Sequence, residues 1–555
     1  MKKAHYLVFV LPLFLIAIPS PSVAQVGTCA EAQAQATLEV GNIHASIFNN
    51  GRLFFDNNAG KSYEVPKGSG VNSIFASTFM VGGLINDSLR ISSSTFGPYE
   101  FWPGPLDSNG NPPSDCSTYD RIWEIKTSDF EQFEMDGSFS TNMLDWPWEL
   151  GAPIIDGDGN PNNYNLDGGD RPELLGDQML WWVMNDRGNE HIWSEEDPIG
   201  LEVNVSVYAF EHAKTGGDIT FYRYQLTNKN ASPFEDAYLG FFVDPDLGNF
   251  DDDFVGSDSL LHLGYTYNSD SFDEEGYGNA PPALGYTFLI TPEAQTDALD
   301  NDHDGDVDES GEQTGMYSFS FFGFSGFVFG DRPKGKDIYN RLRALWIDGQ
   351  PITFGGDGRT HSTQPARFMY PGDPTTGSFW SEIRPLPESE FTNPTFDRRF
   401  VISGGPFSLQ PGESTELLMG VVWAQGANNL DSVRKLKGIV GNMQSTPESY
   451  LISGYLAGQI DEQPATPEFA LGFDQNFPNP FLGTTTLRYS LPKTMNVRLA
   501  VYDLLGREVA VLAEGSQEAG IYTGAFDGTK VPPGVYFARL EVDHLQFTKL
   551  MVRGQ

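Results

Sequence analysis

Short runs that alternate apolar and polar residues recur from residue 36 to the end of the chain, separated by turn residues. The first runs fall at 36–40, 43–48 and 53–55, with Asn49-Asn50-Gly51 marking a tight turn between two of them. A small, apolar stretch at 73–85 predicts a buried strand or two, and 90–94 predicts another. Residues 201–210, 218–228 and 236–243 predict paired strands, in which Tyr208 and Phe210 share one face and Tyr222 and Tyr224 another. Strands are expected again at 259–267, 283–290, 316–330, 351–354 and 398–423. Residues 106–200 read as loop-rich, although they carry Trp123, Trp146, Trp148, Trp181, Trp182 and Trp193. One segment has a helical period: 431–443 puts Val433, Leu436, Val440 and Met443 on one face, with Asp431 as the expected N-cap. Residues 456–469 have linker composition. The pattern predicts a mainly β chain. A large β-sandwich or jelly-roll-like region with long acidic loops (25–455) leads through the linker to a small Ig-like β-sandwich at 470–555.

The two ends carry addresses. Met1-Lys2-Lys3, an apolar run over 6–18 and Ser22-Val23-Ala24 have the order of a secretory signal peptide, which predicts residues 1–24 as the signal and a mature start near Gln25. That run is short for a membrane span, and no other reaches spanning length, so the mature chain is expected to contain no span. At the other end, Asn476-Phe-Pro-Asn-Pro-Phe481 fixes an extended entry, because neither proline can donate to a central ladder. Strand-like runs follow at 484–491, 497–504, 508–512, 521–526, 535–542 and 547–552. The motifs at 476–481, 484–492, 501–509, 533–540 and 549–552 resemble, in order and spacing, the type A C-terminal sorting domain of cargo of the type IX secretion system in Bacteroidota. The resemblance implies recognition of residues 470–555 by the type IX machinery, export across the outer membrane, tail removal, and release or surface attachment. Segments at 63–70, 101–107, 176–186, 242–248, 355–358 and 371–374 resemble large secreted proteins of Bacteroidota that carry such tails. That likeness implies secretion and a β-rich fold and supplies no catalytic residues.

Charge narrows the partners. Asp and Glu number 75 against 34 Lys and Arg, a net charge of −41, which excludes a nucleic-acid partner because phosphate recognition needs basic clusters. Aromatic content of 13% is too high for an acidic disordered chain. Cys29 and Cys116, the two cysteines, are expected to pair in an oxidising compartment; the alternatives are two buried thiols, or a lipid on Cys29, disfavoured by the bulk of Thr28 before it.

The acidic residues are clustered. Asp300, Asp302 and Asp304 stand at positions 1, 3 and 5 of a calcium loop with Gly305 at 6 and Asp306 at 7. Position 12 is Gly311, so Asp308, Glu309 or Glu312 must close the cage. Asp156, Asp158 and Asn160, with Asp167 at position 12, form a second such loop, with Pro161 in place of the glycine. Asp244, Asp246, Asp251 and Asp253 follow a strand directly, where a cage would pin the strand end. Hard carboxylate oxygens and millimolar extracellular calcium make structural Ca²⁺ the expected ion.

Catalysis has no comparable signal. Gly-x-Ser-x-Gly, His-Glu-x-x-His and the phosphate-loop motif are all missing, and the histidines lack zinc spacing. A glycosidase needs two carboxylates at the right separation, which sequence neither finds nor excludes. Trp146, Trp148, Trp181 and Trp182 are the best sugar platforms, with the core as the competing use. The sequence therefore predicts an exported, calcium-stabilised protein with a structural or binding role. A polysaccharide-active hydrolase, or a binder of surface polysaccharide, is the alternative.

Overall fold

Two large antiparallel sheets face each other because most of their strands bury β-branched and aromatic side chains on the shared face. The computed structural model describes residues 27–451 and 472–554, apart from 56–61, 94, 212–216, 295–310, 324–333, 379, 386–393, 474–475, 477–478, 492–493, 505–506, 519 and 543–544. The signal segment 1–24 and the linker 456–469 lie outside the described residues.

Among those residues the first sheet runs Ser318–Gly323, Arg398–Leu409, Phe234–Asp244, Ala76–Ile85, Arg52–Leu53, His44–Phe48, Tyr63–Glu64 and Asn72–Ile74. Gln35–Leu38 and Ser88–Ser92 branch from it. The second runs Asp253–Asp258, Leu263–Asn268, Ala283–Ile290, Ser414–Ala424, Asp218–Asn228, Leu201–Ala209, Gln178–Asn185 and Trp102–Pro103, with Trp123–Lys126 beside Gln178–Asn185. Phe79, Phe241 and Ile402 from the first sheet meet Trp182, Val205, Tyr224 and Val421 from the second. The Phe79 and Tyr224 rings stack with centroids 4.5 Å apart.

The outer faces are covered as well. Helix Asn429–Ser445 lays Val433, Leu436, Val440 and Met443, all fully buried, over the strands Leu263–Asn268, Ala283–Ile290 and Ser414–Ala424, with Leu263, Leu418 and Val422 in the same core. Helix Gly335–Leu342 puts Ile338 and Leu342 against Met80, Phe242 and Val401. A strand buried on both faces needs no alternation, so Gln178–Asn185 is a continuous apolar run and reads from sequence as part of a loop. Its adjacent tryptophans split as strand geometry requires, Trp181 into the outer core and Trp182 into the inner one.

Several boundaries move. The long helix starts at Asn429, and its N-cap is Asn428, which accepts from the Asp431 N–H. Asp431, the third helical residue, accepts from the N–H of Ala427, the residue before the cap. The 398–423 run divides at a turn that places Gly412 at φ +81°. The expected strand at 259–267 begins as a 3₁₀ turn, Ser259–Leu261, and becomes strand at Leu263–Asn268. Residues 351–354 make only isolated bridges. Cys29 and Cys116 are joined by a disulfide.

The tail forms two sheets of its own, Gly472–Phe473, Thr484–Leu491 and Gly520–Asp527 against Glu508–Gln517, Met495–Asp503, Gly534–Val542 and Leu545–Arg553. Phe481, Leu487, Leu499, Val501, Leu540 and Met551 fill the space between them. The entry motif is a lock on this core. Asn476 donates to the Thr485 hydroxyl at 2.9 Å, Asn479 Oδ1 accepts from the Val552 N–H at 2.7 Å, and Phe481 is fully buried.

Candidate functional site

The loop between the short strands Ile154–Ile155 and Arg171–Pro172 gathers acids because its backbone turns on their side chains. Asp156 Oδ1 accepts from the N–H groups of Gly159 and Asn160 at 2.7 and 3.0 Å, and Asp158 Oδ1 accepts from Asn160 N–H at 3.0 Å. Asp170, fully buried, accepts from Gly157, Asp158 and Asn165 N–H groups and so closes the loop on itself. Gly157 lies against Gly169 so closely that an added Cβ would sit 2.3 Å from its carbonyl carbon. The result brings carboxylate oxygens of Asp156, Asp158 and Asp170 within 4.8 Å of one another. Hydrogen bonds from the Asn163 and Asn165 amides hold the Asp158 carboxyl below the usual carboxylate range. Asn160 is on the exposed rim. Asp167, the position-12 residue, is exposed in the 3₁₀ turn Leu166–Gly168 and is not part of this group; Asp170 is. Pro161 removes the standard loop glycine, and the chain returns an acid three residues later than the standard spacing.

A second group stands at the end of strand Phe234–Asp244. Asp244 and Asp246 are joined there by Asp397, which immediately precedes strand Arg398–Leu409. Pairing of these strands, with Val243 opposite Phe400, is what brings Asp397 across. Their carboxylate oxygens lie within 4.8 Å of one another. Arg399 is the cation at this place, with its Nε 3.0 Å from Asp244 Oδ2 and its Nη2 2.8 Å from Asp397 Oδ2. Burial, reinforced by Asp246, pushes the Asp244 carboxyl well above its ordinary range against the pull of Arg399. Burial and then Asp397 push Asp246 up to about 7. Asp251 is exposed and Asp253 is buried, accepting from the Leu247 N–H at 2.9 Å; neither belongs to this group. The third sequence cluster, Asp300, Asp302, Asp304, Asp306, Asp308 and Glu309, lies outside the described residues.

The four tryptophans singled out as sugar platforms and two of the histidines make structural contacts. Trp146, Trp181 and Trp182 are buried, Trp146 donating to the Pro153 carbonyl, and Trp148 packs against the outer core. His191 faces the Ile91 and Asp186 carbonyls from its two ring nitrogens, and His262 Nδ1 accepts from the Met316 N–H. A cavity of about 540 Å³ beside the disulfide is lined by Pro103, Asn111, Pro112, Pro113 and Asp120 and by no tryptophan. Asp120 is held there by the N–H groups of Gln33 and Ala34.

Comparison with known proteins places the tail. Residues 475–553 match the family model of the secretion system C-terminal sorting domain. The tail is therefore a type IX sorting domain, the part of the chain that the type IX machinery engages, and it directs export across the outer membrane to the cell surface or the extracellular space. No curated protein matches the chain. One solved structure, a polysaccharide lyase, aligns with 86% of this chain at 11% identity and a TM-score of 0.24. The chain spans 47% of that structure's length, and nothing is carried over from it. No helix among the described residues is long and apolar enough to cross a membrane.

Proposed function

We propose that the exported chain works outside the outer membrane as a calcium-stabilised β-sandwich with a structural or binding role. The observation that carries this reading is the spacing of the Asp156, Asp158 and Asp170 oxygens, all within 4.8 Å of one another. Oxygens that each lie about 2.3–2.6 Å from one calcium ion must be no more than about 5 Å apart. A mature surface so rich in carboxylates gains from each bound divalent ion, which relieves self-repulsion. The ions would occupy the loop at 156–170, the strand end at 244–246 and, on the sequence pattern, the loop at 300–312. The burial of Trp146, Trp181 and Trp182 supports this reading over the polysaccharide one, since it withdraws three of the best stacking platforms.

The test is thermal unfolding of the full chain in millimolar calcium and again in excess chelator. A site at one hundred times its dissociation constant adds about 2.7 kcal/mol, so the reading expects a calcium-specific rise in midpoint. Equal midpoints in calcium and chelator would overturn it.

A further inference from the structure

The strand-end group differs from the loop group in that none of its acids is fully exposed, whereas Asp156 and Asp158 are. Asp244 is 1% exposed. One of its oxygens faces Arg399, and among the described residues no N–H or O–H donor is bonded to the other, Oδ1. A buried carboxylate oxygen without a donor is costly unless a cation takes the donor's place. With all three ionised, the acids would outweigh the Arg399 guanidinium beside them by two charges, the charge of one divalent ion, so an ion bound here would take the place of the protons that burial favours. Asp246 and Asp397 are partly exposed and leave the group open to solvent on their side.

We propose that Asp244, Asp246 and Asp397 bind a calcium ion that clamps the end of strand Phe234–Asp244 to the start of strand Arg398–Leu409, with Arg399 as a built-in partial counter-ion. The inference rests on the calcium reading above and specifies one site of it. The clamp has structural leverage. Strand Phe234–Asp244 lies between Ala76–Ile85 and Arg398–Leu409 in the first sheet. Phe75, the residue before strand Ala76–Ile85, donates its N–H to the Asp244 carbonyl at 3.0 Å. Asp253 holds the intervening loop through Leu247. An ion at this point would therefore tie the ends of two adjacent interior strands, with the third held to them by the Phe75 hydrogen bond. All-oxygen, carboxylate-rich coordination selects calcium over softer metals.

The experiment compares the full chain with Asp397→Asn, Asp246→Asn and, as the control at the other loop, Asp158→Asn. Bound calcium per chain is counted by equilibrium dialysis, and each protein is melted in calcium and in chelator. The proposal expects Asp397→Asn to bind one ion fewer than the parent. It also expects this variant to melt at or above the parent in chelator, because one of the crowded carboxylates is gone, and to lose part of the rise that calcium gives. Asp246→Asn should do the same, and Asp158→Asn should leave this site filled. If Asp397 only braces Arg399, its variant melts lower in chelator and binds as many ions as the parent, and the proposal is overturned. Full stoichiometry in both Asp397→Asn and Asp246→Asn, with a loss in Asp158→Asn, overturns this site and spares the general reading. No bound calcium in the parent overturns both.

Discussion

Glu382→Gln should be among the most damaging single changes in the sandwich. Both Glu382 and its partner Arg398 have fully buried side chains, with Arg398 Nε 3.1 and 3.0 Å from the two carboxylate oxygens. Glu382 also accepts from the Val255 N–H at 3.1 Å, which ties the strand Asp253–Asp258 of one sheet to Arg398–Leu409 of the other. Arg398 also donates from Nη1 to the Phe396 carbonyl and from Nη2 to the Pro394 carbonyl, and stands 3.6 Å over the Phe396 ring. Gln in place of Glu keeps the shape and leaves the guanidinium as an uncompensated buried cation. Breaking a buried pair from one side costs about 3–5 kcal/mol, against a whole stability of about 5–15 kcal/mol for an ordinary domain. Removing both charges with Glu382→Leu and Arg398→Met should cost far less than the two single changes added together, because a buried pair returns little net energy over apolar replacements. Urea unfolding of the full chain, followed by tryptophan fluorescence for the parent, both singles and the double, gives the coupling. Additive singles, or a Glu382→Gln loss under about 1 kcal/mol, would refute the argument that this pair is desolvated and mutually dependent.

Three further outcomes are expected. Asp373 is pushed up by burial but pulled down further by Lys437 and Thr375, so its carboxyl sits below the usual range. A depressed carboxyl contributes stability above its unfolded pKa, about 3.9, that is lost as pH falls through the folded value; Lys437→Met should flatten that acid limb of a plot of melting temperature against pH. Lys437, whose Nζ is 3.2 Å from Asp258 and 3.4 Å from Asp373, is pushed down by burial and raised by more through those acids and Tyr265. Its own contribution is present below the unfolded lysine value and disappears only in strong alkali. Reduction of the Cys29–Cys116 bridge, which spans 87 residues, should cost about 4–5 kcal/mol in the chain-entropy account, read as a drop in urea midpoint on adding reductant. Deleting residues 470–555 should keep the product inside the outer membrane. Protease accessibility on intact cells measures this, and digestion at parental levels would sink the sorting role.

What the sequence makes legible is what local pattern decides. The tail is readable because its strands face one small core and alternate, as in Val497, Leu499 and Val501. The helix face Val433, Leu436, Val440 and Met443 is readable for the same reason, while its start is not, since Asn428 and Asp431 are both good cap residues. Strand Gln178–Asn185 is hidden because both its faces are covered, which erases the period. Helix Gly335–Leu342 is hidden because its polar sequence presents only Ile338 and Leu342 fully to the core. In the two acidic groups, the proximity of Asp156 to Asp158 and of Asp244 to Asp246 follows from local spacing. Asp170 was within reach of a reader who let the loop run three residues past the standard position. Asp397 was not, because its place depends on a strand pairing between segments far apart in the chain.

The central claim is that clustered carboxylates in the exported chain hold calcium. Equilibrium dialysis of the full chain against radioactive calcium at millimolar free ion tests it most directly. The account predicts saturable binding of at least two ions per chain, one lost in Asp158→Asn and a different one lost in Asp397→Asn. Calcium uptake no greater than that of an unfolded chain of the same charge would contradict it.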